Sequence, residues 1–244
     1  MILIGLTGGI ACGKSSVSRM LADEFHMEII DADLVVRELQ APNAACTRLI
    51  AARWPFCVDR ETGELNRAEL GKVIFSDPKA RRELGKIMNF AILKALLIRI
   101  AAAWWRDLWR SGAASSPSVV VLDAPTLFET KMFVYFISAS VVVSCSEERQ
   151  IERLRSRNGL SKEEALQRIH SQLSLETKRR LADYVIENDS ADDLDALRGS
   201  VRECSMWMAR QSNNVLTGIF GTLAISVIAV AAVAGYAGYR LLLT

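Results

Sequence analysis

The sequence lacks the cysteine spacing of a zinc site or of a disulfide-stabilised domain. Its five cysteines are scattered and form no C-x-x-C pair: Cys12, Cys46, Cys57, Cys145 and Cys204. Scattered thiols of this kind fit a protein that stays in a reducing compartment. The sequence also lacks an excess of either charge, since 30 basic residues nearly balance 28 acidic ones. The chain therefore has no strong excess of positive charge that would favour binding to nucleic acid, and we expect no nucleic-acid partner.

The N-terminus lacks the basic region followed by an apolar one that begins a secretory signal. The C-terminal region lacks charge, because no Asp, Glu, Lys or Arg occurs from Gln211 to Tyr239. As a helix, its apolar part at about 215–239 would span roughly 37 Å, against about 30 Å of membrane hydrocarbon. Arg210 and Arg240 bracket this segment. The pattern predicts a single transmembrane helix, with a buried core helix as the alternative.

An anchor at 215–239 divides the chain into a catalytic domain at 1–210 and a membrane segment at 211–244. We expect the domain to fold in the cytosol before the anchor inserts, so that it remains tail-anchored and faces the cytosol. The membrane stays open between the endoplasmic reticulum, the mitochondrial outer membrane and the peroxisome. A C-terminal lipid-anchor signal is the alternative, but it requires entry into the secretory pathway. The sequence leaves the oligomeric state open.

Before the uncharged segment, short apolar runs alternate with helical patterns. Five runs, several of them rich in Val and Ile, are predicted as strands at about 2–6, 28–31, 119–123, 139–144 and 184–187. This alternation is typical of an α/β protein with an open parallel sheet. The gap between the second and third strands is too long for one crossover helix, so we predict a helical insertion at about 34–117.

A glycine-rich segment directly follows the first predicted strand. Residues 8–15, GGIACGKS, fit the motif G-x-x-x-x-G-K-[ST] in full and precede a predicted helix. Glycines permit a tight turn whose N–H groups converge on phosphate oxygens, and the helix N-terminus adds favourable potential. Lys14 can reach the outer phosphates and the Ser15 hydroxyl can ligate Mg²⁺, so we predict a nucleoside triphosphate with Mg²⁺. The predicted nucleotide-binding residues are Gly8, Gly9, Ile10, Ala11, Cys12, Gly13, Lys14, Ser15 and Ser16.

The motif alone does not choose between a GTPase, a motor ATPase and a small-molecule kinase. A GTPase should show D-x-x-G after the third strand, but residues 123–126 are DAPT, and no N-K-x-D follows. A motor ATPase should end that strand in an acidic pair, which DA does not supply. A kinase needs an acid near the phosphates and a basic lid. Asp31 and Asp33 follow the second strand, and Arg153 and Arg157 share one helical face.

Six segments together resemble the dephospho-coenzyme A kinase family, in order and at matching spacing over about residues 1–205. They are IGLTGGIACGKSSV, IIDADLVVREL, GELNRAELGKVIFSDPKARRELGKI, VVVLDAPTLFET, RLRSRNGLSKEEALQRI and ADYVIEND. The resemblance implies ATP-dependent phosphorylation of the ribose 3′-hydroxyl of dephospho-CoA, the last step of coenzyme A biosynthesis. It also implies a P-loop core with a five-stranded parallel sheet, a helical substrate domain and a lid at about 147–175.

The resemblance further implies roles for individual residues. Asp33 corresponds to the acid beside the acceptor hydroxyl, a candidate general base, although it could instead cap the helix after the second strand. Arg153 and Arg157 correspond to lid residues that clamp the ATP phosphates, with a solvated helix face as the alternative. Asn188 matches the adenine-side position. The segment that lines the family's substrate crevice is matched by Pro125, Leu127 and Glu129.

Two positions depart from the family's pattern. Asn89 and Phe90 stand where the family usually has His-Pro, which puts a charge-dependent substrate contact in doubt. Cys12 stands in the phosphate-binding loop where Ser or Ala is usual. A helix N-terminus with Lys14 nearby favours a reactive thiolate, with a buried, inert small residue as the alternative. The alternatives to this enzyme are another P-loop small-molecule kinase and a membrane-tethered nucleotide-binding scaffold.

Overall fold

The computed structural model describes residues 1–110, 118–131, 133–189 and 194–213, so the predicted anchor at 215–239 lies outside the described residues. The strands of the described part are β1 (Ile2–Gly8), β2 (Glu28–Asp31), β3 (Val119–Asp123), β4 (Ala139–Ser144) and β5 (Tyr184–Glu187). Its α-helices are α1 (Lys14–Asp23), α2 (Ala32–Leu39), α3 (Ala45–Arg53), α4 (Arg67–Ser76), α5 (Pro78–Arg110), α6 (Leu127–Thr130), α7 (Glu147–Asn158), α8 (Lys162–His170), α9 (Leu175–Leu181) and α10 (Leu194–Met208).

The strands form one sheet in the order β2-β3-β1-β4-β5. The central strand β1 is buried along its whole length and pairs in parallel with β3 and β4, while β4 pairs in parallel with β5. The prediction of an α/β fold with a five-stranded parallel sheet is confirmed. Because the strands are parallel, the turn after β1 meets the carboxyl ends of β3 and β4 at one edge of the sheet.

Residues Met1–Ile30 and the described part of Ala101–Thr244 form one compact unit around the sheet. Its core includes the buried faces of α1 and α10, which pack against the strands. On α10 the buried residues Leu197, Val201, Cys204 and Met208 recur every three or four positions. That spacing places them on one helical face, so the amphipathic pattern of the sequence fixes which side of α10 meets the sheet.

Residues Asp31–Ile100 form the second compact unit, which overlaps the predicted insertion at about 34–117. It contains α2, α3, α4 and most of α5, together with a short 3₁₀ helix, Pro55–Cys57. Its core packs Cys46, Ile50, Trp54 and Met88 with neighbouring apolar side chains. This unit therefore has a hydrophobic core of its own.

Within the described ranges, α5 is the one helix long and apolar enough to cross a membrane. A core helix of a globular domain passes the same test of length and composition. In α5 the residues Met88, Leu96, Ile100 and Ala103 are buried. They lie on one side of the helix, as expected for a helix that packs its apolar face into a protein core.

Candidate active site

The loop between β1 and α1 has the backbone shape that binds phosphate. Gly13 precedes α1 with a φ of 91°, in the left-handed region that glycine adopts without strain. A Cβ at Gly13 would also lie only 2.3 Å from the side-chain nitrogen of Asn188. Both observations require glycine at this position. Helix α1 then begins at Lys14, and the first N–H groups of a helix are available to an anion.

Three side chains hold the loop from outside by binding three successive carbonyl oxygens, those of residues 10–12. Gln150 Nε2 donates to the first at 2.7 Å, Arg153 Nη1 to the second at 3.3 Å and Asn188 Nδ2 to the third at 2.8 Å. The C=O and N–H of a trans peptide point in opposite directions. The N–H groups that follow these carbonyls therefore face away from the three side chains. That of Cys12 donates to Gly9 O at 3.2 Å within the loop, whereas those of Ala11 and Gly13 have the orientation needed to donate to phosphate oxygens.

Lys14 forms an ion pair with the carboxylate of Asp123, the last residue of β3. Asp123 is 5% exposed, so this carboxylate fixes the ammonium group beside the loop. The pairing follows from topology, since Asp123 lies opposite Leu6 in the β1–β3 register. In the sequence, Asp123 served as evidence against a GTPase and a motor ATPase and was not assigned to the site. The signal that would have found it is its place at the end of a strand next to the loop.

The structure brings Arg153 and Asn188 together at the loop but not Arg157. Besides its bond to the loop, Arg153 donates from Nη2 to the carbonyl of Asn188 at 3.1 Å, which joins α7 to the end of β5. Arg157 is exposed, and its Nε donates to Asn158 Oδ1 at 3.1 Å. Gln150 was missed in the sequence, because a single Gln in a charged helix carries no motif.

A buried lysine that the sequence did not predict links the loop to the segment after β3. Lys178 is 0% exposed, and its ammonium group lies 2.8 Å from the Glu129 carboxylate. It donates to the carbonyls of Gly8 at 3.2 Å and Pro125 at 3.0 Å. Thr7 Oγ1 donates to the Pro125 carbonyl at 2.9 Å. Lys178 was missed because it lies in the run KRR of α9, which has the composition of a solvated basic face.

The remaining predicted residues of this unit lie as follows. Leu127 is 1% exposed and packs in the core, where its Cδ2 would lie 2.6 Å from a Cβ placed at Gly5. A contact between Leu127 and the substrate stays a prediction. Ser15 and Ser16 are exposed in the first turn of α1. No group of three or more His, Cys, Asp or Glu suited to a metal occurs among the described residues. The binding of Mg²⁺ by Ser15 stays a prediction.

In the second unit, Asp31 rather than Asp33 caps α2. The Asp31 carboxylate accepts from the N–H of Leu34 at 2.9 Å and lies 3.7 Å from Arg37 Nη2. Asp33 lies in the first turn of α2 and is exposed, and among the described residues none donates a hydrogen bond to its carboxylate. The alternative that Asp33 is the helix cap is wrong. Its carboxylate therefore remains accessible to a ligand.

The Lys178–Glu129 pair should contribute strongly to stability. Replacing Lys178 with Met leaves the Glu129 carboxylate, which is 24% exposed, without its charged partner. Breaking a buried pair on one side typically costs about 3 kcal/mol. We expect that loss in the free energy of unfolding, measured by urea denaturation, and partial recovery in Lys178→Met/Glu129→Gln.

The matched control for this prediction is Lys72→Met, which breaks an exposed pair with Glu69. Exposed pairs contribute about 0.2–1 kcal/mol, so the control should unfold at nearly the wild-type urea concentration. Equal losses in the two variants would contradict a structural role for the buried pair. An unchanged Lys178→Met protein would contradict it as well.

The chain is similar to known proteins over most of its length. Residues 2–193 match the family model described as Dephospho-CoA kinase. A Danio rerio protein named "Dephospho-CoA kinase domain-containing protein" is 38% identical over 234 residues, which cover 93% of this chain and 98% of that protein. An Oryza sativa dephospho-CoA kinase is 39% identical over 193 residues, 79% of each chain. The crystal structure of a Thermus thermophilus protein matches with a TM-score of 0.65 at 26% identity, over 84% of this chain and 97% of that one.

Proposed function

This chain belongs to the dephospho-CoA kinase family, and we propose that the site around residues 8–16 carries out its phosphoryl transfer. The chain uses ATP and Mg²⁺ to phosphorylate the ribose 3′-hydroxyl of dephospho-CoA, and the products are CoA and ADP. This is the last step of CoA biosynthesis. The function rests on one structural observation above all: a phosphate-binding loop with three successive carbonyls held by side chains and its lysine held by Asp123.

ATP would bind with its phosphates against the loop and the N-terminus of α1. The N–H groups of Ala11 and Gly13, which Gln150 and Asn188 orient, would donate to phosphate oxygens, while Arg153 holds the loop at the Ala11 carbonyl. Lys14 can move its ammonium group from Asp123 to the outer phosphates. Mg²⁺, held by the Ser15 hydroxyl together with phosphate oxygens, would neutralise charge on the transferred group.

Arg153 is hydrogen-bonded to the phosphate-binding loop, whereas Arg157 is not. Arg153 is committed to the carbonyls of Ala11 and Asn188, so its charge lies at the loop before any ligand binds. Arg157 is exposed and bonded only locally among the described residues, to Asn158. We assign Arg153 to the fixed electrostatic environment of the phosphates. Arg157 is then the lid residue that reaches the transferred phosphate when the lid closes over ATP.

Asp33 is the group we assign to the acceptor. Because Asp31 satisfies the N-terminus of α2, the Asp33 carboxylate is available to accept a hydrogen bond from the ribose 3′-hydroxyl. It would orient that hydroxyl for attack and take up its proton. Asn89, also exposed in this unit, can contribute hydrogen bonds but no titrating charge.

The residues on either side of the phosphates complete the proposed assignment. Pro125 and Glu129 are held by Lys178 beside the start of the loop, where they would line the site of the acceptor. Asn188 follows β5 and would lie beside the adenine, while its side chain binds the loop at Cys12. Glu129 would act through hydrogen bonds to the substrate, since Lys178 already compensates its charge.

The proposed reaction is tested directly with purified full-length protein. Incubation with ATP, Mg²⁺ and dephospho-CoA should form CoA and ADP in equal amounts, separated by reversed-phase chromatography. Omission of Mg²⁺ should stop the reaction. ATP hydrolysis without CoA formation would contradict the assignment and favour a nucleotide-binding scaffold.

We also propose that the segment 215–239 anchors the protein in a membrane, with the kinase domain in the cytosol. The uncharged run from Gln211 to Tyr239 supports this proposal. The match to the Danio rerio protein covers 93% of this chain, so it must extend beyond residue 213 into this segment. All five cysteines are free and buried, which fits a domain in a reducing compartment.

The anchor should make the full chain resist carbonate extraction. Protease added to intact organelles should remove the kinase domain, because it faces the cytosol. A chain that ends at Asn213 keeps the bonds of Gln211 to Trp207 and Met208, and it should be extracted while remaining active.

The matched full-length control is Val227→Arg/Ala231→Arg, which places two charges in the middle of the segment. Each should oppose insertion by about 2.5–3.5 kcal/mol, so this variant should be extracted. Extraction of the unaltered chain, or protection of its kinase domain inside the organelle, would contradict the proposal.

A further inference from the structure

Two cysteines from distant parts of the sequence meet beneath the phosphate-binding loop. Cys12 lies in the loop and Cys145 directly follows β4, and their Sγ atoms are 3.2 Å apart. They are 0% and 5% exposed. A disulfide has an S–S bond of about 2.05 Å, so closing this pair requires a movement of roughly 1 Å. The phosphoryl transfer described above uses neither sulfur.

We propose that Cys12 and Cys145 are a modification site: a peroxide-responsive thiol pair whose disulfide closes the phosphate-binding loop to ATP. The disulfide would act on ATP binding, whatever the identity of the acceptor. Cys12 is inside the segment that binds the phosphates, while Cys145 directly follows the sheet strand β4. Formation of a disulfide between Cys12 and Cys145 would therefore change the shape of the phosphate-binding loop.

The environment of the pair favours Cys12 as the nucleophile. Hydrogen bonds from the Cys145 thiol and from the backbone N–H groups of Cys145 and Gly9 hold the pKa of the Cys12 thiol below its usual value, although burial raises it. Arg153 adds a smaller effect in the same direction. The same thiol–thiol contact, together with burial, raises the pKa of Cys145. Cys12 is therefore the sulfur that carries thiolate character.

A small oxidant has a route to this pair. Gly9, Cys145 and Gln150 line an open cleft beside the loop. Cys12 Sγ lies directly behind Gly9, since a Cβ at that glycine would be only 2.8 Å from the sulfur. The same Cβ position lies 2.7 Å from Gln150 Nε2, so hydrogen peroxide would reach the sulfurs from the cleft at Cys145, which is 5% exposed.

The chemistry balances with one hydrogen peroxide for each disulfide. The Cys12 thiolate attacks one peroxide oxygen and breaks the O–O bond, which leaves Cys12 as a sulfenic acid and releases hydroxide that is protonated to water. The Cys145 sulfur then attacks the Cys12 sulfur, and the hydroxyl leaves as a second water. Two thiols are oxidised, and the peroxide is reduced to two waters. A dithiol reagent reverses the change by thiol–disulfide exchange.

The disulfide should disturb the loop rather than the sheet. Cys145 is continuous with β4, which pairs with strands on both sides. Cys12 lies between two residues with positive φ, Ala11 at 60° and Gly13 at 91°, and its N–H binds Gly9 O at 3.2 Å. The roughly 1 Å movement therefore falls on the loop that must aim its N–H groups at phosphate. Misplacement by about 1 Å can cost up to about 10²-fold in rate.

The test treats the full-length protein with hydrogen peroxide, alkylates the remaining thiols and maps linked peptides by mass spectrometry without reduction. We expect a Cys12–Cys145 linked peptide. Binding of a fluorescent ATP analogue should weaken by about tenfold or more, in proportion to the linked fraction, and dithiothreitol should restore it. ATP with Mg²⁺ should slow formation of the link, because the bound phosphates hold the loop.

The decisive variant is Cys145→Ala, which cannot form the link and removes the hydrogen bond that favours the Cys12 thiolate. It should bind ATP normally before treatment and lose binding about tenfold more slowly under peroxide. The control is Cys204→Ala, because Cys204 is a buried core thiol in α10, and this variant should respond like the wild type. Equal sensitivity of Cys145→Ala and wild type would overturn the proposal. So would a linked protein that still binds ATP normally, or loss of binding without the link.

Discussion

Replacing Lys14 with Ala should lower kcat/KM by about 10²–10³, which corresponds to about 2.7–4 kcal/mol of lost transition-state stabilisation. The ammonium group lies at the loop, where an ion pair with the nearly buried Asp123 positions it, and Ala supplies no charge there. The rate of CoA formation under initial-rate conditions measures this effect. Circular dichroism should show the same secondary structure, because Ala is well tolerated in a helix, while loss of the ion pair with Asp123 should lower the free energy of unfolding.

Lys72→Ala is the matched control for this variant, since it removes an exposed lysine that pairs with Glu69 in α4. Its kcat/KM should equal that of the wild type. Near-normal turnover of Lys14→Ala would contradict the assignment of the nucleotide site. A loss in Lys72→Ala of the same size would show that the effect is not specific to the loop.

Replacing Asp33 with Asn should lower kcat by about 10²–10⁴ and leave the dissociation constant of ATP nearly unchanged. Asn keeps the shape of the side chain but cannot accept the proton of the attacking hydroxyl. Loss of the cap of α2 cannot explain the effect, since Asp31 and not Asp33 is the cap. Initial rates with saturating substrates give kcat, and a fluorescent ATP analogue gives the affinity.

Asp31→Asn is the matched control for the Asp33 variant. It makes the same substitution two residues earlier, and Asn caps helices about as well as Asp. It should retain most of the activity and the stability. Loss of ATP binding in Asp33→Asn would indicate an Mg²⁺ or structural role for Asp33. An equal loss of kcat in both variants would also contradict the assignment, because the two residues differ in what their carboxylates bind.

The fold was predictable wherever the sequence carries a local pattern. Four strands occur within the predicted bounds, and β1 continues to Gly8, two residues beyond the predicted end. Helix α2 directly follows β2, and there Asp31 rather than Asp33 caps the helix while also ending the strand. The strand order β2-β3-β1-β4-β5 could not be predicted, because it depends on non-local pairing that no local pattern encodes.

The motif residues of the site were predictable from the sequence, whereas the side chains that hold the loop in place were much less so. Gly13, Lys14 and Ser15 follow from the loop motif, because each has a fixed chemical task there. Gln150 and Lys178 act through bonds to backbone carbonyls, and such contacts leave no signature in residue type or spacing. The reactivity suspected at Cys12 could be judged only when the structure placed Cys145 against it.

The most direct test of the central claim compares acceptors for phosphoryl transfer from ATP by the full-length protein. Values of kcat/KM would be measured with dephospho-CoA, adenosine, AMP and a simple sugar, and the product would be examined by phosphorus NMR. We expect dephospho-CoA to exceed the other acceptors by orders of magnitude, with the new phosphate on the ribose 3′-oxygen. Comparable or greater transfer to a nucleoside or sugar, or a phosphate at another oxygen of dephospho-CoA, would contradict the assignment.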